Sequence, residues 1–146
     1  MEILKVRQGD ENWNKTITYT ESGSWENGHK LAKRMKENHF FDFESVFVAI
    51  EEGEILGYCT FITQLYPHND KYSPWITSIF VDEKGRGKKI SGLLIEKAIN
   101  HAKENKITKV YISCHITGLY EKYGFTQVDT FMGKDNKDQL IYVKEI

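Results

Sequence analysis

Phe80-Val81-Asp82-Glu83-Lys84-Gly85-Arg86-Gly87-Lys88-Lys89-Ile90-Ser91-Gly92-Leu93-Leu94 begins as an apolar strand, turns through two glycines and becomes an amphipathic helix. Apolar residues at Ile90, Leu93, Leu94, Ala98 and Ala102 recur at the spacing of one helical face. That spacing places the first helical turn near Lys88–Ser91. A helix start carries partial positive charge and unpaired N–H groups, so acidic residues belong there. Arg86, Lys88 and Lys89 stand there instead. Each cation so placed costs about 0.3–1 kcal/mol unless something offsets it. An anion bound to the exposed amides would do so. The turn is either such an anion site or a solvated basic loop, and local rules are most often broken at functional sites.

Upstream of the turn, Trp75–Val81 reads as a strand and Tyr66–Pro74 as a loop. Before them lie a strand over Ser45–Glu52, a tight turn at Gly53-Glu54 and a returning strand over Ile55–Leu65, an antiparallel hairpin. Downstream, the helix runs to about Asn105 and a strand follows over Lys109–Cys114. A short helix over Thr117–Tyr123 is closed by Gly124, and strands over Phe125–Phe131 and Leu140–Val143 flank the polar turn Gly133–Asp138. At the other end, Glu2–Arg7 is a first strand, and Asp10–Thr20 reads as helix or loop. Ser24 is placed to cap a helix from Trp25 to Asn38 that buries Trp25, Leu31 and Met35, with Gly28 its weak point. These two early segments are the expected walls of a specificity pocket. The pattern implies one α+β domain over residues 1–146 with a mixed sheet.

With 40% hydrophobic residues in 146, the chain can build a real core. A net charge of -1 argues against a nucleic-acid binder, which would show a basic surplus. No apolar run reaches membrane-spanning length, and Met1–Lys5 lacks the apolar region of a signal peptide. Cys59 and Cys114 form no CxxC and are expected to be reduced, buried packing residues of a cytoplasmic protein. The histidines (His29, His39, His68, His101 and His115) are scattered without ligand spacing, so no metal is expected. A nucleotide-binding P-loop fails because Gly87-Lys88-Lys89 lacks the hydroxyl residue that should follow its lysine.

The order of elements, the basic turn after a strand, and Leu119-Tyr120-Glu121-Lys122-Tyr123-Gly124-Phe125 near the end resemble the GNAT superfamily of N-acetyltransferases. The family's turn has Arg or Gln, then Gly at the third and Gly or Ala at the fifth position after it. Arg86, Gly87 and Ile90 fit that pattern, whereas Lys89 replaces the glycine and Ser91 the small residue. The resemblance implies a mixed central sheet flanked by helices, with two splayed parallel strands holding acetyl-CoA. It places the pyrophosphate on the amides of Arg86, Gly87, Lys88, Lys89, Ile90 and Ser91. The pantetheine would pair with Ile79, Phe80 and Val81, where an N–H can polarise the thioester carbonyl.

The implied chemistry is direct transfer of an acetyl group to an amine in a ternary complex. Tyr120 matches the family's tyrosine and is the expected general acid, with Tyr123 its rival on the same short helix. His115, at a strand's end just before those tyrosines, is the best base candidate, ahead of Glu51, His68 and Asp70. Cys114 and His115 make a poor nucleophilic dyad because adjacent strand residues point to opposite faces. The acceptor is a primary amine on a small molecule or a protein. The acidic and aromatic stretches Asn38–Glu44 and Tyr66–Asp70 favour a small cationic amine. A homodimer is compatible with the resemblance. The rival reading is a module that binds acyl-CoA without turnover.

Overall fold

Val46, Phe47, Val48 and Ala49 are each 0% exposed, which a strand achieves only when both faces of its sheet are covered. The computed structural model, described over residues 1–66, 71–133 and 137–146, shows what covers them. Its elements are β1 (Glu2–Val6), α1 (Glu11–Ser22), α2 (Glu26–Lys36), β2 (Ser45–Glu51), β3 (Glu54–Ile62), β4 (Trp75–Val81), α3 (Ile90–Glu104), β5 (Lys109–Cys114), β6 (Thr126–Met132) and β7 (Asp138–Glu145). The strands form one sheet in the order β1-β2-β3-β4-β5-β7-β6. On one face Val46, Val48 and Tyr58 pack with Trp13 of α1 and Leu31 and Met35 of α2. On the other, Phe47, Ala49, Cys59 and Phe61 pack against Ile90, Leu94, Ile95 and Ala98 of α3. The alternation along β2 divides the core between the two helical layers.

The pairing is antiparallel except between β4 and β5. Those two run parallel and, among the described residues, register at one pair only, Trp75 with Tyr111. The Tyr111 N–H also donates to the Pro74 carbonyl at 3.0 Å. Beyond that point each strand keeps its outer partner and the two diverge, leaving the V-shaped opening that the resemblance implied. The α+β class and the mixed sheet are as expected.

Several local expectations change. Asp10–Thr20 resolves as helix because Trp13, Thr16 and Thr20 bury one face. Trp25, not Ser24, occupies the N-cap of α2, with no side-chain cap bond. Gly28 is a close approach rather than a weak point: a Cβ there would meet the Tyr58 hydroxyl at 2.9 Å and the Thr20 carbonyl at 3.1 Å. The hairpin turns at Glu52-Gly53, both at positive φ (52° and 79°), one residue earlier than read. The short helix near the tyrosines contracts to a 3-10 turn over Glu121–Tyr123. In stretch 38–44, Phe40 and Phe43 pack on opposite cores and Glu44 pairs with Arg34, while Asn38, His39, Phe41 and Asp42 are exposed. Among the described residues no helix is long and apolar enough to cross a membrane.

Candidate active site

Tyr58 opposes Phe80 but Thr60 opposes Thr77, so β4 carries one residue more than β3 between those pairs. The extra residue makes a bulge with Ser78 at φ 52°, a left-handed conformation that costs a non-glycine residue about 1–3 kcal/mol. The Thr60 hydroxyl donates to the Thr77 carbonyl at 3.1 Å and steadies the adjacent pair. Nothing in Trp-Ile-Thr-Ser-Ile-Phe-Val announces this bulge, and it falls where β4 and β5 diverge. A cavity of about 370 Å³ opens there, lined among others by Trp25, Ser78, Ile79, Cys114, His115 and Tyr120.

Tyr120 and Tyr123 do not share a face. Tyr120 precedes the 3-10 turn and lines the cavity, its ring edge-on to Phe125 at 6.4 Å. Burial, then the neighbouring Cys114, pushes its phenol up to about 12. Tyr123 faces α3 instead, its hydroxyl 3.3 Å from the Ser91 hydroxyl. His115 lies exposed at the cavity mouth. The Gln139 amide nitrogen lies against the His115 ring edge, 3.0 Å from Nδ1 and 3.3 Å from Nε2. Behind Gln139, its Oε1 accepts from Ser113 at 3.2 Å, and Ser113 is 2.7 Å from the Tyr66 hydroxyl. This polar chain of Tyr66, Ser113, Gln139 and His115 was not legible beforehand, since its members lie far apart in sequence. Cys114 lines the same cavity as His115, because strand alternation stops where β5 ends. It is half-buried but still packs against the core on the α3 side, while Cys59 is fully buried.

Glu51 is elsewhere. Its carboxylate takes a 2.6 Å bond from Lys88, which holds it below the usual carboxylate range, and it does not line the cavity. His68 and Asp70 lie outside the described residues. No group of three or more metal-ligating side chains occurs among the described residues.

In the basic turn, α3 begins at Ile90 and Lys89 is its N-cap, so Lys88 and Lys89 precede the helix rather than filling its first turn. The Leu93 N–H closes the first helical bond on the Lys89 carbonyl at 3.1 Å. The N–H groups of Lys89, Ile90, Ser91 and Gly92 therefore have no helical partner. Around them the backbone is open: a Cβ on Gly87, which sits at φ +81°, would meet nothing within 4 Å. Arg86 and Lys89 are exposed, Ile90 is buried at 1%, and Ser91 is half-buried. The arrangement fits a phosphate carried by backbone amides with loose cations beside it. Along β4 the side chains part company, Ile79 and Val81 toward α3 and Phe80 toward α2. Any ligand lying against all three residues would meet their backbone.

Lys89 itself sits at φ 59°, where the resembling pattern has glycine. Lys89→Gly is therefore expected to raise stability in urea unfolding, by about 1 kcal/mol, through relief of left-handed strain. A fall in stability would show that the lysine is not strained there.

A family model described as Acetyltransferase (GNAT) family matches residues 11–125. A spermine/spermidine N(1)-acetyltransferase of Bacillus subtilis (strain 168) is 26% identical over 122 residues, 76% of this chain and 74% of its own. Among solved structures, an aminoglycoside 6'-N-acetyltransferase complexed with coenzyme A superposes with a TM-score of 0.75 at 13% identity, over 99% of this chain and 97% of that one. A ribosomal-protein-alanine N-acetyltransferase from Brucella melitensis gives 0.69 at 19% identity, over 100% of both. At such identities the two structural matches speak for the fold.

Proposed function

The chain belongs to the GNAT acetyltransferase family, and on that premise we propose that it moves an acetyl group from acetyl-CoA to a primary amine by direct attack in a ternary complex. The observation that carries this reading is the cavity at the β4–β5 divergence, with a bulged strand on one side and Tyr120 on the other. An amine acceptor is supported by the relatives, named for spermine and spermidine and for aminoglycosides.

Acetyl-CoA would supply an acyl thioester already activated toward amines. The amides of Lys89 through Gly92, with Gly87 leaving the approach open, would hold its pyrophosphate, and Arg86 and Lys89 would add charge. The β4 backbone near Ser78 and Ile79 would offer an N–H to the carbonyl oxygen. As the new C–N bond forms and the C–S bond breaks, Tyr120 gives its phenolic proton to the leaving sulfur. His115 takes the proton that the amine sheds, and Gln139 orients its ring.

CoA at 100 times its dissociation constant is expected to stabilise the fold by about 2.7 kcal/mol. Absence of any thermal shift at saturating CoA would remove the cosubstrate from this reading. Binding without amine-dependent thiol release across a panel of amines would leave a non-catalytic acyl-CoA-binding module.

A further inference from the structure

A second cavity, about 490 Å³, lies beside β4 at Phe80 and Asp82, where the connection between α1 and α2 passes over the strand. Three rings form its floor. Phe80 is 5.6 Å from Trp25 at 25° and 5.2 Å from Tyr58 at 21°, and Trp25 and Tyr58 are 6.1 Å apart at 36°. Tyr19 stands up from that floor as a wall, at 85° to Tyr58 and 66° to Phe80. Its hydroxyl donates to the Asp82 carboxylate at 2.6 Å. That bond, helped by the Lys84 N–H, holds the Asp82 carboxyl below the usual range, so it is ionised at neutral pH. Lys84 itself turns its ammonium 3.8 Å from Glu54.

Ring faces and a carboxylate together attract a cation, and they do so most strongly where water is partly excluded. The described cation–π contacts lie elsewhere, on Phe40, Tyr72 and Tyr123. Trp25 lines both cavities, so this corner adjoins the reaction cavity. Phe80 is two residues along β4 from the Ser78 bulge, about 7 Å at the usual strand rise. That separation suits the two ends of a short alkyl diamine.

We propose that Tyr19, Trp25, Tyr58, Phe80 and Asp82 form a specificity subsite for the distal, non-reacting ammonium of a di- or polyamine acceptor. The proposal rests on the adjoining cavity being the acetyl-transfer site. A purely structural ring cluster would anchor α1 and α2 equally well but would not distinguish amines by their far end.

The test is calorimetric titration of the CoA-bound protein with cadaverine and with pentylamine, which shares its carbon chain but has one ammonium. Cadaverine is expected to bind about tenfold tighter or better, the scale of a partly desolvated cation–π and carboxylate contact. Asp82→Asn retains a side-chain acceptor for the Lys84 N–H and is expected to erase most of that preference. Tyr19→Phe should erase part of it. In acetyl-CoA-dependent thiol release, Asp82→Asn should raise KM for cadaverine while leaving KM for acetyl-CoA and turnover of pentylamine unchanged. Equal binding of the two amines, or a preference that survives Asp82→Asn, overturns the subsite. Because the titration needs no turnover, failure of thiol release would strike the transferase reading and leave the subsite to be decided by binding.

Discussion

Tyr120→Phe is expected to lower kcat by about 10²–10⁴-fold, the usual worth of a positioned general acid. The loss should appear in kcat, with the affinity for acetyl-CoA nearly unchanged, because the ring and its contact with Phe125 remain. Burial pushes the Tyr120 phenol up to about 12, which keeps it protonated throughout the range in which the protein would be assayed. The kcat profile should accordingly show no fall near pH 10, where an ordinary tyrosine ionises. Tyr123→Phe is the control. Its hydroxyl meets Ser91 on the α3 side and does not line the cavity, so turnover should be close to that of the parent. Full activity in Tyr120→Phe alongside a loss in Tyr123→Phe would reverse the assignment, and full activity in both would make water the proton donor.

Glu44→Ala is expected to destabilise the fold by about 2–4 kcal/mol, chiefly the cost of leaving the Phe41 and Thr63 N–H donors without an acceptor. Glu44 is 8% exposed. It accepts from the Phe41 N–H at 2.9 Å, the Thr63 N–H and hydroxyl at 2.7 Å each, and the Arg34 guanidinium at 2.9 Å. It thus ties the end of α2 and the loop before β2 to the end of β3. Burial alone would push its carboxyl up, but the Thr63 and Phe41 bonds and the Arg34 charge outweigh burial and hold it below its ordinary value. A carboxyl depressed in the folded state stabilises fully above its unfolded value, near 4.5, and loses that contribution as pH falls through the lower folded value. The gap between parent and Glu44→Gln in urea unfolding should therefore be wide at pH 7 and narrow in acid. A gap that stays constant with pH would mean the charge contributes nothing.

Much of the fold was legible from neighbouring residues. Short apolar runs rich in β-branched and aromatic residues marked β2 and β4, a 3.6-residue apolar repeat marked α3, and glycines marked the turns between. The family rested on two local segments, Arg86–Ser91 and Leu119–Phe125, whose spacing carries its own chemistry. Boundaries suffered where side chains decide them: Lys89, expected in the first helical turn, precedes α3, and Tyr120, expected on one short helix with Tyr123, precedes the turn that holds Tyr123. Nothing near Glu51 in sequence shows that Lys88, 37 positions away, holds its carboxylate.

The candidate site divides in the same way. Tyr120, His115 and the basic turn announced themselves by residue type and position, because a phenol, an imidazole and open amides keep their chemistry in any fold. The Ser78 bulge, the polar chain from Tyr66 to His115, and the corner built by Tyr19, Trp25, Tyr58, Phe80 and Asp82 left no local mark. Tyr19 and Asp82 are 63 positions apart, Tyr66 and Ser113 are 47. Such contacts form only when α1, α2 and four strands pack at once. Their energies belong to pairs that the chain's order does not bring together, so periodicity and turn chemistry, which report on neighbours within a few residues, are blind to them.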